Sequence, residues 1–357
     1  MLIKQAEKQW WPGKKYPDID QEMDAMKGRK QVRCSLMAAF AAAVTGLILV
    51  FPAWALDCPS LRLLPGLRAD RVLAEGLVRA GKPRNGETRR DRLRGLLSRP
   101  AAGDTVIVNV GSASRVIRLD EQGAFCCDFS RPAQTGAIVL SVSEPSGGTL
   151  LRKLEQRLPA SSALLVVSDI DDTVLVSEVP TKVKLIYNSL LRSVANRRPV
   201  PGVPDAYRNI RDVTGSSGLF VYLSASPAAM ERFIGAFLNQ NGFPDGLLIT
   251  GDRLSSSKEK TVAHKTAWLS RLAGLFPGAP MLLIGDSGEQ DPEIYTAFAV
   301  RGMARIRGVI IRGIGQVDEK RKNALGRQLE KAGIPFFVWR GPEELRAVLA
   351  RLGFRTP

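Results

Sequence analysis

Leu164-Leu165-Val166-Val167-Ser168-Asp169-Ile170-Asp171-Asp172-Thr173 is a short uncharged run that ends in three carboxylates. Apolar residues without polar alternation fit a strand covered on both faces, as in a parallel sheet. Four later runs read the same way, at residues 219–223, 281–284, 309–312 and 336–339. Between them lie helix-period stripes: Met230, Phe233, Ile234, Phe237 and Leu238, then Trp268, Leu269, Leu272 and Leu275. Such stripes are the core face of amphipathic helices. Strands alternating with helices predict an open, doubly wound parallel α/β domain over residues 161–357.

Upstream the rhythm differs. Residues 106–110, 115–119, 124–128 and 137–142 are β-prone, and Asp120-Glu121-Gln122-Gly123 is a turn between two of them. They predict a small β-rich domain over 56–160, an antiparallel sheet or sandwich. Residues 57–100 read as Arg-rich and loop-like, with a helix-capable piece at 69–78.

Residues 1–55 carry an address. Lys27, Arg29, Lys30 and Arg33 precede an uncharged stretch over 36–56 that contains Ala53-Trp54-Ala55. A basic flank, an apolar core and a small-residue step describe a signal peptide, and a run of this length also serves as an N-terminal membrane anchor. Either reading exports the rest of the chain, as a periplasmic protein or one anchored facing outside the cytoplasm. There a disulfide from Cys58 to Cys126 or Cys127 is permitted; three buried thiols are the alternative.

Composition narrows the function. Hydrophobic residues at 45% and charged residues at 24% argue against wholesale disorder. Lys and Arg number 51 against 35 Asp and Glu, a formal +16 that suits an anionic partner. The basic residues are scattered without stacking aromatics, so nucleic acid is not expected. The chain has one histidine, His264, which excludes two-histidine zinc sites and leaves one ring for any imidazole-based hydrolase.

Ligands of open α/β sheets bind at the carboxyl ends of the strands. Asp169 and Asp171 sit there, one strand period apart, and share a crevice if the extended backbone persists. Crowded acids repel unless a cation neutralises them or one keeps its proton. Taken alone, such a cluster also serves as a solvated loop or a helix cap. Ser224 ends a later strand, Lys265 is expected to open a helix, and Gly285-Asp286-Ser287-Gly288-Glu289-Gln290-Asp291 ends another strand. Each also has a plain structural reading: an N-cap, a solvated lysine, a turn.

Acid pair, serine, lysine and acidic loop in this order resemble the four-part signature of the haloacid dehalogenase (HAD) superfamily. Within it, the chain is most similar to the phosphatidate phosphatase catalytic domain of the actin-patch-protein type, related to lipins. The carrying residues are Ser168 to Val174, Tyr222-Leu223-Ser224-Ala225-Ser226-Pro227, Phe276-Pro277, Ile284-Gly285-Asp286-Ser287-Gly288 with Asp291-Pro292-Glu293-Ile294-Tyr295, and Ile310-Ile311-Arg312. Ala225 stands where that family tends to have Asn, and Ser177 where it has Thr. These departures bear on substrate identity rather than on phosphoryl chemistry.

The resemblance implies a HAD-like fold without a large cap domain and a Mg²⁺-dependent phosphatase. It makes Asp169 the nucleophile and Asp171 the acid and base. Ser224 and Lys265 would bind the substrate phosphate. Asp169, Asp171 through its carbonyl, Asp286 and Asp291 would hold the metal. The implied substrate is phosphatidate or a related phospholipid met at a membrane surface. The basic segment 181–192 reads either as an ordinary packed helix beside the site or as an amphipathic helix lying on that surface. A non-lipid phosphomonoester substrate, and a non-catalytic lipid- or polyanion-binding module, are the alternatives.

Overall fold

Six strands form one parallel sheet in the order β10-β9-β8-β11-β12-β13. They are β8 Leu164–Ser168, β9 Gly218–Pro227, β10 Gly246–Gly251, β11 Met281–Asp286, β12 Ile306–Arg312 and β13 Phe336–Trp339. The computed structural model describes residues 55–66, 70–81, 98–133, 136–146, 148–158, 164–176, 197–251, 257–316 and 318–354. The leader over 1–55 lies outside these residues except for Ala55, and so does the basic segment 181–192. Among the described residues no helix is long and apolar enough to cross a membrane.

Among the described residues six α-helices cover the sheet: α1 Val203–Thr214, α2 Glu231–Gln240, α3 Lys258–Leu275, α4 Asp291–Val300, α5 Glu319–Lys331 and α6 Pro342–Arg351. Alternate residues of each strand point to opposite faces, and the strand residues sort accordingly. Val166, Phe220, Tyr222, Leu282 and Ile284 pack with Tyr207 and Ile210 of α1, Phe233 and Phe237 of α2, and Leu345 and Leu349 of α6. Leu165, Val167, Val221, Leu283 and Val309 pack with Leu269 and Leu272 of α3, Ile294 and Phe298 of α4, and Leu329 of α5. The fold is therefore α/β, with helices on both faces. The sequence reading omitted β10, a short apolar run between Gly246 and Gly251 that forms an edge strand.

Two antiparallel sheets precede it. One has the order β1-β2-β5 and the other β4-β3-β6-β7. The strands are β1 Leu56–Pro65, β2 Arg71–Ala80, β3 Thr105–Val110, β4 Ala113–Arg118, β5 Ala124–Ser130, β6 Ile138–Ser143 and β7 Leu150–Gln156. They share a core of Leu63, Val72, Val106, Val108, Phe129, Leu140 and Val142. The described part of the piece 69–78 is not helical: residues 71–78 belong to β2, which pairs with β1 on one side and β5 on the other. Inter-strand pairing overrides the helix propensity of Leu73, Ala74 and Glu75. The turn at Asp120 forms as expected, its carboxylate accepting the Gln122 and Ala124 N–H groups at 2.8 Å each. Cys58, Cys126 and Cys127 are all free thiols, and burial pushes those of Cys58 and Cys127 up to about 12. The Cys58 disulfide is thus not formed.

Candidate active site

From β8 the chain steps outward to β9 and β10, then returns to place β11 on the other side of β8. The reversal leaves a crevice beyond the carboxyl ends of β8 and β11, where α/β sheets bind ligands. The Asp169 N–H donates to the Ile284 carbonyl at 2.9 Å, carrying the ladder one residue past β8. The backbone then turns. Thr173, Val174 and Leu175 N–H groups all converge on the Ile170 carbonyl, and Asp172 takes a φ of 57°. The extended conformation does not continue to Asp171, which pairs instead as an isolated bridge to Leu175.

The carboxylates of Asp169, Asp286 and Asp291 gather at the crevice, each offering an oxygen within 4.8 Å of the others. All three are buried. The Lys265 ammonium sits among them, 2.7 Å from Asp169 Oδ1 and 2.5 Å from Asp291 Oδ1. Three acids thus face one buried cation. Oδ2 of Asp169, of Asp286 and of Asp291 are buried without a hydrogen-bond partner. Buried polar atoms are ordinarily satisfied, so three clustered carboxylates that each keep an orphan oxygen fit a hard cation held by oxygen ligands.

The electrostatics follow from that crowding. Burial, and then the fields of Asp291 and Asp169, push the Asp286 carboxyl well above the usual range. Asp291 is also pushed up by burial, with Lys265 opposing and Asp169 reinforcing the shift. Burial, Asp169 and Glu289 raise Asp171 to about 7. Burial would deprotonate Lys265, but Asp169 and Asp291 outweigh it and hold the ammonium charged well above its ordinary range.

Local features explain these positions. Gly285 lets α4 approach, since a Cβ there would lie 2.5 Å from Asp291 Oδ2 and 2.8 Å from the Tyr295 ring. Asp291 opens α4, and Pro292 follows in the first turn, where its missing N–H costs nothing. The Gly288 N–H donates to Asp286 Oδ1 at 2.6 Å. Lys265 lies mid-helix rather than at a helix start, because Ser257 caps α3 earlier by accepting the Lys260 N–H. Ser224 lies within β9, which runs on to Pro227. Its hydroxyl accepts the Ser226 N–H at 3.0 Å, and the Ser226 hydroxyl donates to Asp171 Oδ2 at 3.4 Å. His264 Nε2 is 3.1 Å from the Ser224 carbonyl, tying α3 to that strand.

Several further residues support this arrangement. Arg321 donates to Glu293 Oε1 and to the Ser287 and Glu289 carbonyls, holding the acidic loop shut. Arg312 donates to the Asp172 carbonyl at 2.5 Å, supporting the strained turn. Ser168 is 2.6 Å from the Tyr207 hydroxyl. Ser168 and Arg312 stand among the residues that carry the resemblance, whereas nothing local in the sequence marks Arg321 or Tyr207.

Residues 164–313 match the family model of the phosphatidate phosphatase APP1 catalytic domain. Over these residues the chain is phosphatidate phosphatase-like. Phosphatidate phosphatase APP1 of Saccharomyces cerevisiae is 27% identical over 151 residues, covering 41% of this chain and 25% of that protein. An uncharacterized protein of Schizosaccharomyces pombe is 26% identical over 157 residues, covering 43% of this chain and 26% of that one. The aligned part is about a quarter of the length of these relatives. Among solved structures, a carbohydrate acetylesterase of Xanthomonas citri covers 82% of this chain and 74% of its own at 12% identity, with a TM-score of 0.33.

Proposed function

We propose that this chain is a Mg²⁺-dependent phosphomonoesterase that dephosphorylates phosphatidate or a related phospholipid through an aspartyl-phosphate, on a sheet of the HAD type. The observation that carries the proposal is the buried cluster of Asp169, Asp286 and Asp291, each with an orphan Oδ2, in which Asp169 and Asp291 pair through Oδ1 with the Lys265 ammonium. Asp169, Asp286 and Asp291 would hold the ion, with the Asp171 carbonyl as a further ligand. Bound there, Mg²⁺ would neutralise charge on the substrate phosphate and orient it.

The residues divide the work. An Asp169 carboxylate oxygen bonds to phosphorus as the bond from phosphorus to the leaving oxygen breaks. Asp171, held protonated near neutrality by its raised value, gives its proton to that oxygen. As a carboxylate it then takes a proton from water, which attacks phosphorus and releases Asp169. Ser224 and Lys265 bind the non-bridging oxygens, with Lys265 supplying a fixed positive charge. The substrate class comes from the relative named a phosphatidate phosphatase. The basic excess of the chain suits an anionic bilayer. The leader over residues 36–55 would place this chemistry outside the cytoplasm.

The test is phosphate release from phosphatidate in mixed micelles against soluble phosphomonoesters, with Mg²⁺ or with EDTA. Release from phosphatidate that EDTA abolishes and that Asp169→Asn and Asp171→Asn each remove is the expected result. Full activity in EDTA, or in either folded variant, would overturn the mechanism. Turnover of soluble esters alone would overturn the lipid assignment.

A further inference from the structure

The helix that carries Lys265, α3, and the helix that follows the Ser224 strand, α2, are both fastened to β1-β2-β5 through charged groups. Glu231 opens α2, seven residues after Ser224, and is 1% exposed. Its Oε1 accepts the Leu61 N–H of β1 at 3.1 Å and Arg152 Nη2 of β7 at 2.9 Å. On α3, Arg271 lies six residues beyond Lys265 and makes a two-pronged pair with Glu75 of β2, one arm at 3.0 Å. Burial would raise Glu75, but Arg271 outweighs it and holds the carboxyl below the usual range.

Arg62 of β1 reaches both anchors. Its guanidinium lies 5.2 Å from the Trp268 ring centroid and 3.9 Å from Glu231 Oε2. Arg271 lies 4.7 Å from the same ring, so Trp268 contacts two guanidinium groups. Lys265, Trp268 and Arg271 follow at three-residue spacing and form one ridge of α3. A ridge fixed at Trp268 and Arg271 sets the rotation and axial position of the helix, and with them the Lys265 ammonium. His264 passes the same constraint to Ser224 through its carbonyl.

We infer that the β1-β2-β5 sheet is a brace for the phosphate-binding groups, with Glu75 and Arg62 as positioning residues acting through α3 on Lys265. The inference rests on the proposed reading in which Lys265 and Ser224 hold phosphate oxygens. A bidentate guanidinium–carboxylate pair with the carboxylate buried and the guanidinium largely covered resists rotation in a way that a single contact does not. Small displacements at a reacting group are costly: about 1 Å is worth on the order of a hundredfold in rate.

The experiment is steady-state hydrolysis of p-nitrophenyl phosphate by the full chain with Mg²⁺, for wild type, Glu75→Gln, Arg62→Met, Lys265→Arg and Glu75→Gln/Lys265→Arg, alongside thermal melting. Glu75→Gln is expected to lower kcat about ten- to a hundredfold with KM within about threefold, while remaining folded at the assay temperature. In the Lys265→Arg background the same change should alter kcat by less than about threefold, because effects routed through one group do not add. Arg62→Met is read in the same way and decides the matter should Glu75→Gln not fold. Unchanged kcat in the folded variants, or an equal loss in both backgrounds, would overturn the brace while leaving the site reading intact. Undiminished activity in Lys265→Arg would instead overturn the site reading, and the brace with it.

Discussion

Lys265 Nζ and Asp169 Oδ1 are 2.7 Å apart, with both side chains almost wholly buried. The ammonium also meets Asp291, so one cation holds two acids that would otherwise repel. Removing one member of a buried pair leaves an uncompensated charge, a loss of about 3–5 kcal/mol. Lys265→Met should therefore destabilise the metal-free protein by about that amount at pH 8, read from urea unfolding in EDTA. A loss below about 1 kcal/mol would show that the pair carries no net constraint.

A second consequence concerns pH. Asp171, Asp286 and Asp291 are all pushed upward, Asp171 to about 7. The folded metal-free protein therefore retains protons that the unfolded chain releases in the ordinary carboxylate range. Stability should fall as pH rises from about 4 through about 7, since the folded state binds more protons there. Mg²⁺ favours the ionised carboxylates and should flatten the decline. Melting temperatures across pH 5–9, in EDTA and in Mg²⁺, check this. A metal-free melting temperature that rises with pH would contradict it.

How much of this could be read from the chain depends on what each feature needs. The buried strands β8, β9, β11, β12 and β13 announce themselves because a sheet covered on both faces demands unbroken apolar runs. The acids and Lys265 were legible through their order along such strands. The strand β2 was not, because Leu73, Ala74, Glu75, Leu77 and Val78 suit a helix as well, and only pairing with β1 and β5 decides the matter. Similarly, Leu150–Gln156 contains Leu, Arg, Lys and Glu, and becomes β7 by pairing with β6. The Glu75–Arg271 pair joins residues 196 apart in the chain, and no local pattern signals such a contact.

Gly285 offers a steric test of the carboxylates proposed to bind metal. A methyl group there would lie 2.7 Å from Asp291 Cβ and 2.5 Å from its Oδ2, too close without displacement. Gly285→Ala should destabilise the fold by about 1–3 kcal/mol through overpacking. It should also weaken Mg²⁺ binding, because the shift falls on a proposed ligand. Calorimetric titration with Mg²⁺ reads the second effect, and wild-type affinity in the folded variant would remove Asp291 from the ligand set.

Arg321 tests whether the acidic loop must be held rigid. Its guanidinium donates to the Ser287 carbonyl at 2.9 Å, the Glu289 carbonyl at 2.8 Å and Glu293 Oε2 at 2.6 Å. These contacts span the loop that begins at Asp286 and delivers Asp291 to the helix. The side chain is partly exposed, so its own effect on stability should stay within about 1 kcal/mol. Positioning is a different matter, since a loosened loop lets the two carboxylates separate. Arg321→Met should therefore weaken Mg²⁺ affinity about tenfold or more, the range seen when groups that orient metal ligands are removed. Saturating Mg²⁺ should restore most of the turnover of p-nitrophenyl phosphate. A Mg²⁺ dependence identical to wild type would show that the loop holds its shape without the clasp.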